Sequence, residues 1–310
     1  MNDKYTFTDG YIVTPSGAVL HRIKSLKDFG DVKTGMLGGF IEKEENLSID
    51  GNAWVYNNAQ VYGNARVRDN AFVDDNAKVF GNALVNGNAQ VHDNARVFND
   101  AFVYDNACIS NYVQIYNHAR IHGNARICDT AQVCDTASVY GNAYVSDDVH
   151  IYNNAQVYDD AQVFGRACIC GDAKIYGNAI IGEENRIQTG SCDSDIRNNL
   201  IENIRVQTNL LPMNGEVIAY KQVRKDLSSY YDPNFIYKIG EWAEVSDYDP
   251  SSHSCSKGLH FSNPNYWNNA ENARDSTFLI AKIKLEDIIT VQAGKIRCKR
   301  AFILGTYNIE

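Results

Sequence analysis

The sequence predicts an all-β solenoid followed by a small α+β domain, on three observations: an unbroken six-residue repeat, a change of composition near residue 211, and strand-like runs beyond it. From Gly51 to Gly182 the chain divides, without one inserted or deleted residue, into 22 hexads of the form Gly/Asp/Asn, Asn/Asp, Ala, variable, Val/Ile, variable. Gly63-Asn64-Ala65-Arg66-Val67-Arg68 and Gly81-Asn82-Ala83-Leu84-Val85-Asn86 are typical, and Glu45-Asn46-Leu47-Ser48-Ile49-Asp50 extends the register upstream. A period of six fits neither the 3.6-residue turn of a helix nor the alternation of a long strand; it fits a short strand followed by a corner. Three units close a triangular coil, so the repeat makes slightly more than seven coils, about 35 Å of solenoid at about 4.8 Å per layer.

Each position of the hexad then has a task. Val or Ile fills the bore, Ala occupies the crowded place beside a corner, and the Gly/Asn or Asp/Asn pair makes the turn, where these residues tolerate unusual backbone angles. Turn chemistry also accounts for the corner aspartates, among them Asp69, Asp75, Asp93, Asp105, Asp129 and Asp135, which form no calcium-loop motif. Spacing by 18 lines up Tyr62, Phe80, Phe98 and Tyr116, continued by Cys134, Tyr152 and Cys170, in one outward column. Two readings of this column stay open: an oligomer interface or flat binding surface, with Tyr62, Phe80, Phe98, Tyr116 and Tyr152 as its candidates, or lateral stacking of neighbouring coils. A second column, Tyr104, His122, Tyr140, Tyr158 and Tyr176, is aromatic toward its C-terminal half, and a third, Tyr56, Asp74, His92, Ser110, Cys128 and Ser146, is mostly polar.

With 310 residues, 44% of them apolar, the chain has material for one large domain or two ordinary ones. Its net charge of -9 argues against nucleic acid as the default partner while leaving room for a local basic patch. The opening MNDKYTFTDG does not read as a signal peptide, and no run of about 18 apolar residues occurs, so a cytoplasmic protein without a membrane anchor is expected. The 8 cysteines include Cys108, Cys128, Cys134, Cys168 and Cys170 in the repeat, with no CxxC pair and no histidines at zinc-finger spacing, which favours reduced thiols. No metal and no cofactor is implied.

The flanks divide the chain into a cap at 1–44, the solenoid at 45–188, a transition or linker at 189–210 and the α+β domain at 211–310. In the cap, Tyr5-Thr6-Phe7, Tyr11-Ile12-Val13 and Val19 to Ile23 suggest a hairpin that covers the exposed end of the solenoid. In the last domain, strands are expected at 216–223, 277–283 and 301–304, with a short helix around Tyr266 to Arg274. Cys255-Ser256-Lys257-Gly258-Leu259-His260-Phe261-Ser262 is its most informative segment: alternation places Leu259 and Phe261 on one side and His260 on the other, near Tyr220 or Lys221. The candidate ligand contacts are therefore Tyr220, Lys221, His260 and Ser262, joined by Lys295, Arg297, Lys299 and Arg300 of a basic run that suits a phosphate-bearing ligand or acidic partner. A structural histidine and a solvated basic strand are the plainer alternatives.

The repeat resembles the hexapeptide-repeat superfamily of left-handed parallel β-helices, and the left hand is implied by that resemblance. Many members are trimeric acyltransferases with a histidine base at an intersubunit site that receives an acyl coenzyme. The resemblance thus implies self-association, with a trimer as the model state, and makes His92, His118, His122 and His150 the histidines to consider; nothing singles one out, and the insertion-free repeat lacks the loop that usually accompanies the catalytic one. The C-terminal segment resembles modules of bacteriophage repeat proteins that carry a Gly-Leu-His-Phe element, which places the protein in an infected bacterial host. It also resembles, faintly, ADP-ribosyltransferase-like folds through Tyr220, Lys221, His260, Phe261 and Ser262, with Glu241 and Glu286 as available glutamates. The leading expectation is a noncatalytic oligomeric scaffold that presents its C-terminal domain to a macromolecule or a phosphate-bearing, nucleotide-like ligand. Acyl transfer and nucleotide-dependent catalysis are the enzyme alternatives.

Overall fold

A computed structural model describes residues 2–182, 185–193, 196–249, 257–267 and 276–307. The chain forms two compact units, Met1–Lys174 and Ile175–Glu310.

The first unit is a β-solenoid. Its hexads become two-residue rungs such as Gln60–Val61, Arg66–Val67 and Phe72–Val73, each paired in parallel with the rung 18 residues on: Gln60 with Lys78, Arg66 with Leu84, Phe72 with Gln90. Three such ladders wrap one bore. Inside it every hexad Ala and every Val or Ile is inaccessible, from Ala59 and Val61 to Ala167 and Ile169. The bore is therefore a column of like aliphatic layers, and the larger Val113 and Val149 take the Ala place in two hexads without loss of burial.

Corners follow the expected chemistry. The first residue of the hexad has positive φ whether it is Gly (Gly63, 68°), Asn (Asn117, 58°) or Asp (Asp129, 62°), the region that Gly, Asn and Asp enter at least cost. Corner side chains then bond from coil to coil. One corner carries an amide ladder in which Asn52, Asn70, Asn88, Asn106, Asn124 and Asn142 each donate Nδ2–H to the next, ending on Asp160, at 2.9–3.1 Å. Corner carboxylates of Asp69, Asp105 and Asp147 accept from the backbone N–H of Gly87, Gly123 and Gly165.

Three strands precede the rungs: β1 (Tyr5–Val13), β2 (Val19–Ser25) and β3 (Leu37–Ile41). β1–β2 is the expected hairpin, β2 pairs antiparallel with β3, and β3 pairs in parallel with rung Gln60–Val61. Neighbouring coils exchange backbone bonds as parallel strands do: Gln60 donates to Ala77 O and Tyr62 to Val79 O, and the rung pairing of Gln60–Val61 with Lys78–Val79 has the later coil donate back. Carbonyls of the first coil that face away from the following coil need donors from outside the repeat. Lys4 Nζ donates to Ser48 O (3.0 Å) and Ala53 O (2.8 Å), and Tyr5 Oη donates to Leu47 O (3.0 Å). Trp54 closes the bore, edge-on to Tyr5 and Phe29.

The second unit begins with rungs Ile180–Ile181, Arg186–Ile187 and Ser191–Cys192 and continues into α1 (Ile196–Thr208). The helix lies inside the segment 189–210 expected as a transition or linker; Leu200 packs against the core and Ile204 is fully buried in it. Seven strands follow: β4 (Glu216–Arg224), β5 (Trp242–Glu244), β6 (Leu259–Phe261), β7 (Ser276–Lys284), β8 (Ile288–Gln292), β9 (Lys295–Cys298) and β10 (Arg300–Tyr307). They make an antiparallel sheet of order β4-β7-β10-β5 and a smaller one of order β6-β9-β8. A two-residue bridge, Tyr220 with Ser262, links the sheets, and Val217, Ala219, Phe261, Leu279, Ile296 and Ile303 are among the core residues between them. The expected helix at Tyr266 to Arg274 is a 3-10 turn at Pro264–Trp267, and its remainder, like Cys255-Ser256, lies outside the described residues.

The corner geometry makes a graded prediction at Gly123, where a Cβ would come within 2.9 Å of Gly141 N and O. Asn and Asp hold the same place in neighbouring hexads, so Gly123→Asn should change unfolding free energy by less than about 1 kcal/mol, whereas Gly123→Val should cost about 2 kcal/mol or more. Urea unfolding of both variants is the check; equal losses would mean that the corner does not discriminate.

Candidate functional site

On the solenoid, the aromatic columns are satisfied by one another. Tyr62, Phe80, Phe98 and Tyr116 stack with ring centroids 4.9–5.1 Å apart and planes within 6°. Tyr104, His122, Tyr140 and Tyr158 form a second stack at 4.7–4.9 Å. All of these rings are half-buried, so lateral stacking, the second reading of the first column, is directly visible.

Repeat histidines are held in local pairs. His92 Nδ1 lies 3.0 Å from Asp93 and its Nε2 3.5 Å from Cys108 Sγ; the Cys108 contact, with Asp93 beside it, raises its pKa above that of an ordinary imidazole. Burial in the ring stack lowers that of His122. His118 and His150 lie on the exterior, 4.0 Å from Asp100 and 3.7 Å from Asp148. Asp75, His92 and Asp93 also bring one ligand-type atom each within 4.8 Å of one another, but Asp75 and His92 are already engaged with Asp93 in the corner network.

The cavity of chemical interest lies within the second unit. It has a volume of about 430 Å³ and is bounded by side chains of β4, β6, β9, the 3-10 turn and the segment 229–247. Lys221, His260 and Lys295 supply the polar floor, Phe235, Tyr237 and Trp267 an aromatic wall, and Asp232, Asp247 and Lys257 further charge. This is a mixed apolar and polar lining of the kind that binds small molecules. Local turns set the wall. Asp226 Oδ1 accepts from Ser228 N (2.9 Å) and Ser228 Oγ (2.6 Å), Asp232 Oδ1 accepts from Asn234 N (3.0 Å), and Ser229 N donates to Phe235 O (2.9 Å). Phe235 and Tyr237 then meet edge to face at 5.0 Å. Across the cavity Trp267 Nε1 donates to Tyr220 O at 2.8 Å, which fixes the indole against β4.

Lys221 is 4% exposed. Its Nζ donates to His260 O (3.2 Å) and lies 5.3 Å and 5.9 Å from the ring centres of Trp267 and Phe261. Burial, with Lys295 nearby, lowers its pKa to about 8. Burial raises the pKa of the Tyr237 phenol, which therefore stays a neutral donor.

Of the eight ligand candidates, three line this cavity: Lys221, His260 and Lys295. Tyr220 and Ser262 build its wall through paired backbone bonds; the Tyr220 ring packs on Tyr307, and Ser262 Oγ donates to Gly294 O. The basic run does not form one solvated strip. Arg297 shares the face of Lys295 on β9 but is 1% exposed, packed against Gly258 and 3.9 Å from Asp249. Lys299 lies over Tyr248, and Arg300 pairs with Asp287 at 2.9 Å over Trp242, away from the cavity. Glu241 and Glu286 are paired with Lys238 and Lys284, and no glutamate lines the cavity among the described residues. Sequence reasoning missed Phe235, Tyr237, Asp232 and Trp267 as cavity residues; the aromatic pair Phe235-Ile236-Tyr237 behind an Asp-Pro turn was the available signal.

The buried ammonium makes a pH prediction. With its folded pKa below the unfolded value of 10.5, the native state binds fewer protons between about pH 8 and 10.5, so the Lys221 contribution to stability rises with pH through that window. The unfolding free energy of the wild type minus that of Lys221→Met should therefore increase from pH 7 to pH 10.5, by up to about 3 kcal/mol. Contributions of Lys4, Cys192 and Cys298, shared by both proteins, largely cancel in this difference. A difference that is flat with pH would show that Lys221 is not buried as a charge.

The YdcK Beta solenoid repeat family model matches residues 59–74 and 77–93. Both matches fall in the rungs and corners of the first unit, so the similarity concerns the solenoid and not the cavity. No curated protein matches the chain.

Proposed function

We propose that this protein is a binding scaffold: a left-handed, hexapeptide-type solenoid that self-associates and presents a C-terminal domain whose cavity receives an anionic, ring-bearing small molecule of nucleotide-like character. The observation that carries this reading is the cavity itself, in which Lys221, Lys295 and His260 face an aromatic wall of Phe235, Tyr237 and Trp267. Amines suit a phosphate, a flat ring suits the aromatic wall, and the Asp232 and Asp247 carboxylates suit ribose hydroxyls. Self-association rests on the resemblance to trimeric hexapeptide proteins, and a bacteriophage setting rests on the Gly-Leu-His-Phe element.

In titration calorimetry AMP should bind saturably and adenosine at least tenfold more weakly, since a charge-assisted contact contributes about 1.5–3 kcal/mol. Lys295→Ala should weaken AMP about tenfold and leave adenosine unchanged. Equal affinities for AMP and adenosine would overturn the anion part of the reading. In native mass spectrometry a single homo-oligomer is expected; a monomer would overturn the self-association.

A further inference from the structure

The second unit holds one lysine in surroundings that suit a nucleophile. Amines become reactive near neutral pH when they are desolvated in an apolar pocket or set beside a second cation, and Lys221 meets both conditions. Its ammonium is packed between Phe261, Trp267 and the His260 carbonyl, and Lys295 lines the same cavity. Lys257, in the same lining but exposed and paired with Asp247 at 2.6 Å, is in the opposite situation, with a carboxylate stabilising the charged form. The groups around Lys221 complete what carbonyl chemistry requires: Lys295 to hold an anion and His260 to exchange protons.

We propose that Lys221 captures the aldehyde or ketone group of an anionic, ring-bearing ligand as an imine, a reading that rests on the binding cavity proposed above. The neutral Lys221 Nζ attacks the carbonyl carbon, and the carbonyl π pair moves to oxygen, which takes a proton. The carbinolamine nitrogen loses a proton, its lone pair forms the C=N bond as the hydroxyl takes a proton and leaves as water, and the resulting iminium gives up its remaining N–H proton. Amine and carbonyl thus give imine and water, with no oxidant or reductant. Burial of Lys221 supports the step, since part of the amine is neutral near pH 8.

The test uses the full-length protein and pyridoxal 5′-phosphate, an aldehyde probe with an aromatic ring and a phosphate, followed by borohydride and peptide mapping. Lys221 should be labelled at least about tenfold more than the exposed Lys225 and Lys238, which lie outside the cavity lining. Pyridoxine 5′-phosphate, which has an alcohol in place of the aldehyde, should bind and protect it. Lys221→Arg should abolish this label, and Lys295→Ala, which leaves Lys221 and its packing in place, should reduce it at least threefold. If pyridoxine 5′-phosphate binds but Lys221 is labelled no more than the surface lysines, the imine proposal fails and the anion cavity stands. If neither compound binds, both fail. Undiminished labelling in Lys295→Ala would overturn capture steered by the anion.

Discussion

Backbone hydrogen bonds in this solenoid tie each coil to the next, and the first and last coils have no further coil to pair with. Each coil presents both N–H and carbonyl groups to both neighbours, so the two end coils are left with groups of both kinds to satisfy even though side chains are nearly identical from coil to coil. Its ends consequently need donors and acceptors from outside the repeat. In the first unit, Lys4 and Tyr5 supply donors to carbonyls of the first coil. In the second, Gln292 Oε1 accepts from Ile180 N at 2.7 Å and Ala293 N donates to Ile180 O at 2.8 Å. An unpaired buried amide or carbonyl costs about 1–3 kcal/mol, which explains why a lysine and a glutamine, both rarely buried, are inaccessible at these places.

The same one-dimensional order disciplines the surface. Because each residue sits above the residue 18 positions earlier, a choice of side chain is repeated along a column, and the columns become homopolymers of a sort: amides on amides, rings on rings. An asparagine amide both donates and accepts, so it can be bonded from both sides at once, and the Asn52 to Asp160 ladder uses that capacity at each step. A carboxylate only accepts. Asp160 accordingly ends its ladder, while the corner aspartates that continue upward do so by accepting from a backbone N–H.

How much of this was legible depends on the range of the interaction. The rung positions, the buried Ala and Val/Ile columns and the positive-φ corners follow from a six-residue pattern, because each is fixed by neighbours at a constant offset of 18. Lys4 is different: its partners are 44 and 49 residues away and no period relates them. Lys221 and His260 were readable as neighbours because strand alternation limits where a side chain can point, yet the burial of Lys221 depends on Trp267, 46 positions downstream. Arg297 shows the limit of composition. Four cations in six residues look like one patch, and Lys295 and Arg297 do share a face, but Arg297 is covered against Gly258 and beside Asp249, and β9 ends before Lys299, so the charges go to separate partners. Helix α1 was hidden for a related reason, since its polar start reads as linker and much of its contact with the rest of the second unit is made by polar residues, Asn203, Gln207 and Thr208, beside Leu200 and Ile204.

A strict repeat is poorly suited to making a specific pocket, because each coil offers the same groups as its neighbour and a cavity needs unlike groups converging on one point. In the described residues that convergence occurs where periodicity has ended: two antiparallel sheets meet through the Tyr220–Ser262 bridge, and irregular turns built on Asp226 and Asp232 bring an aromatic wall against a lysine floor. The core beneath can accept a buried Lys221 because its donor is spent on the His260 carbonyl and its charge faces two aromatic rings. A residue kept at such a cost in solvation, with a second lysine beside it, is poorly explained by stability alone, since a methionine would fill the same volume without the charge. Its position in the cavity wall makes ligand chemistry the more economical account, and it is here, rather than in the repeat, that the specificity of this protein is to be sought.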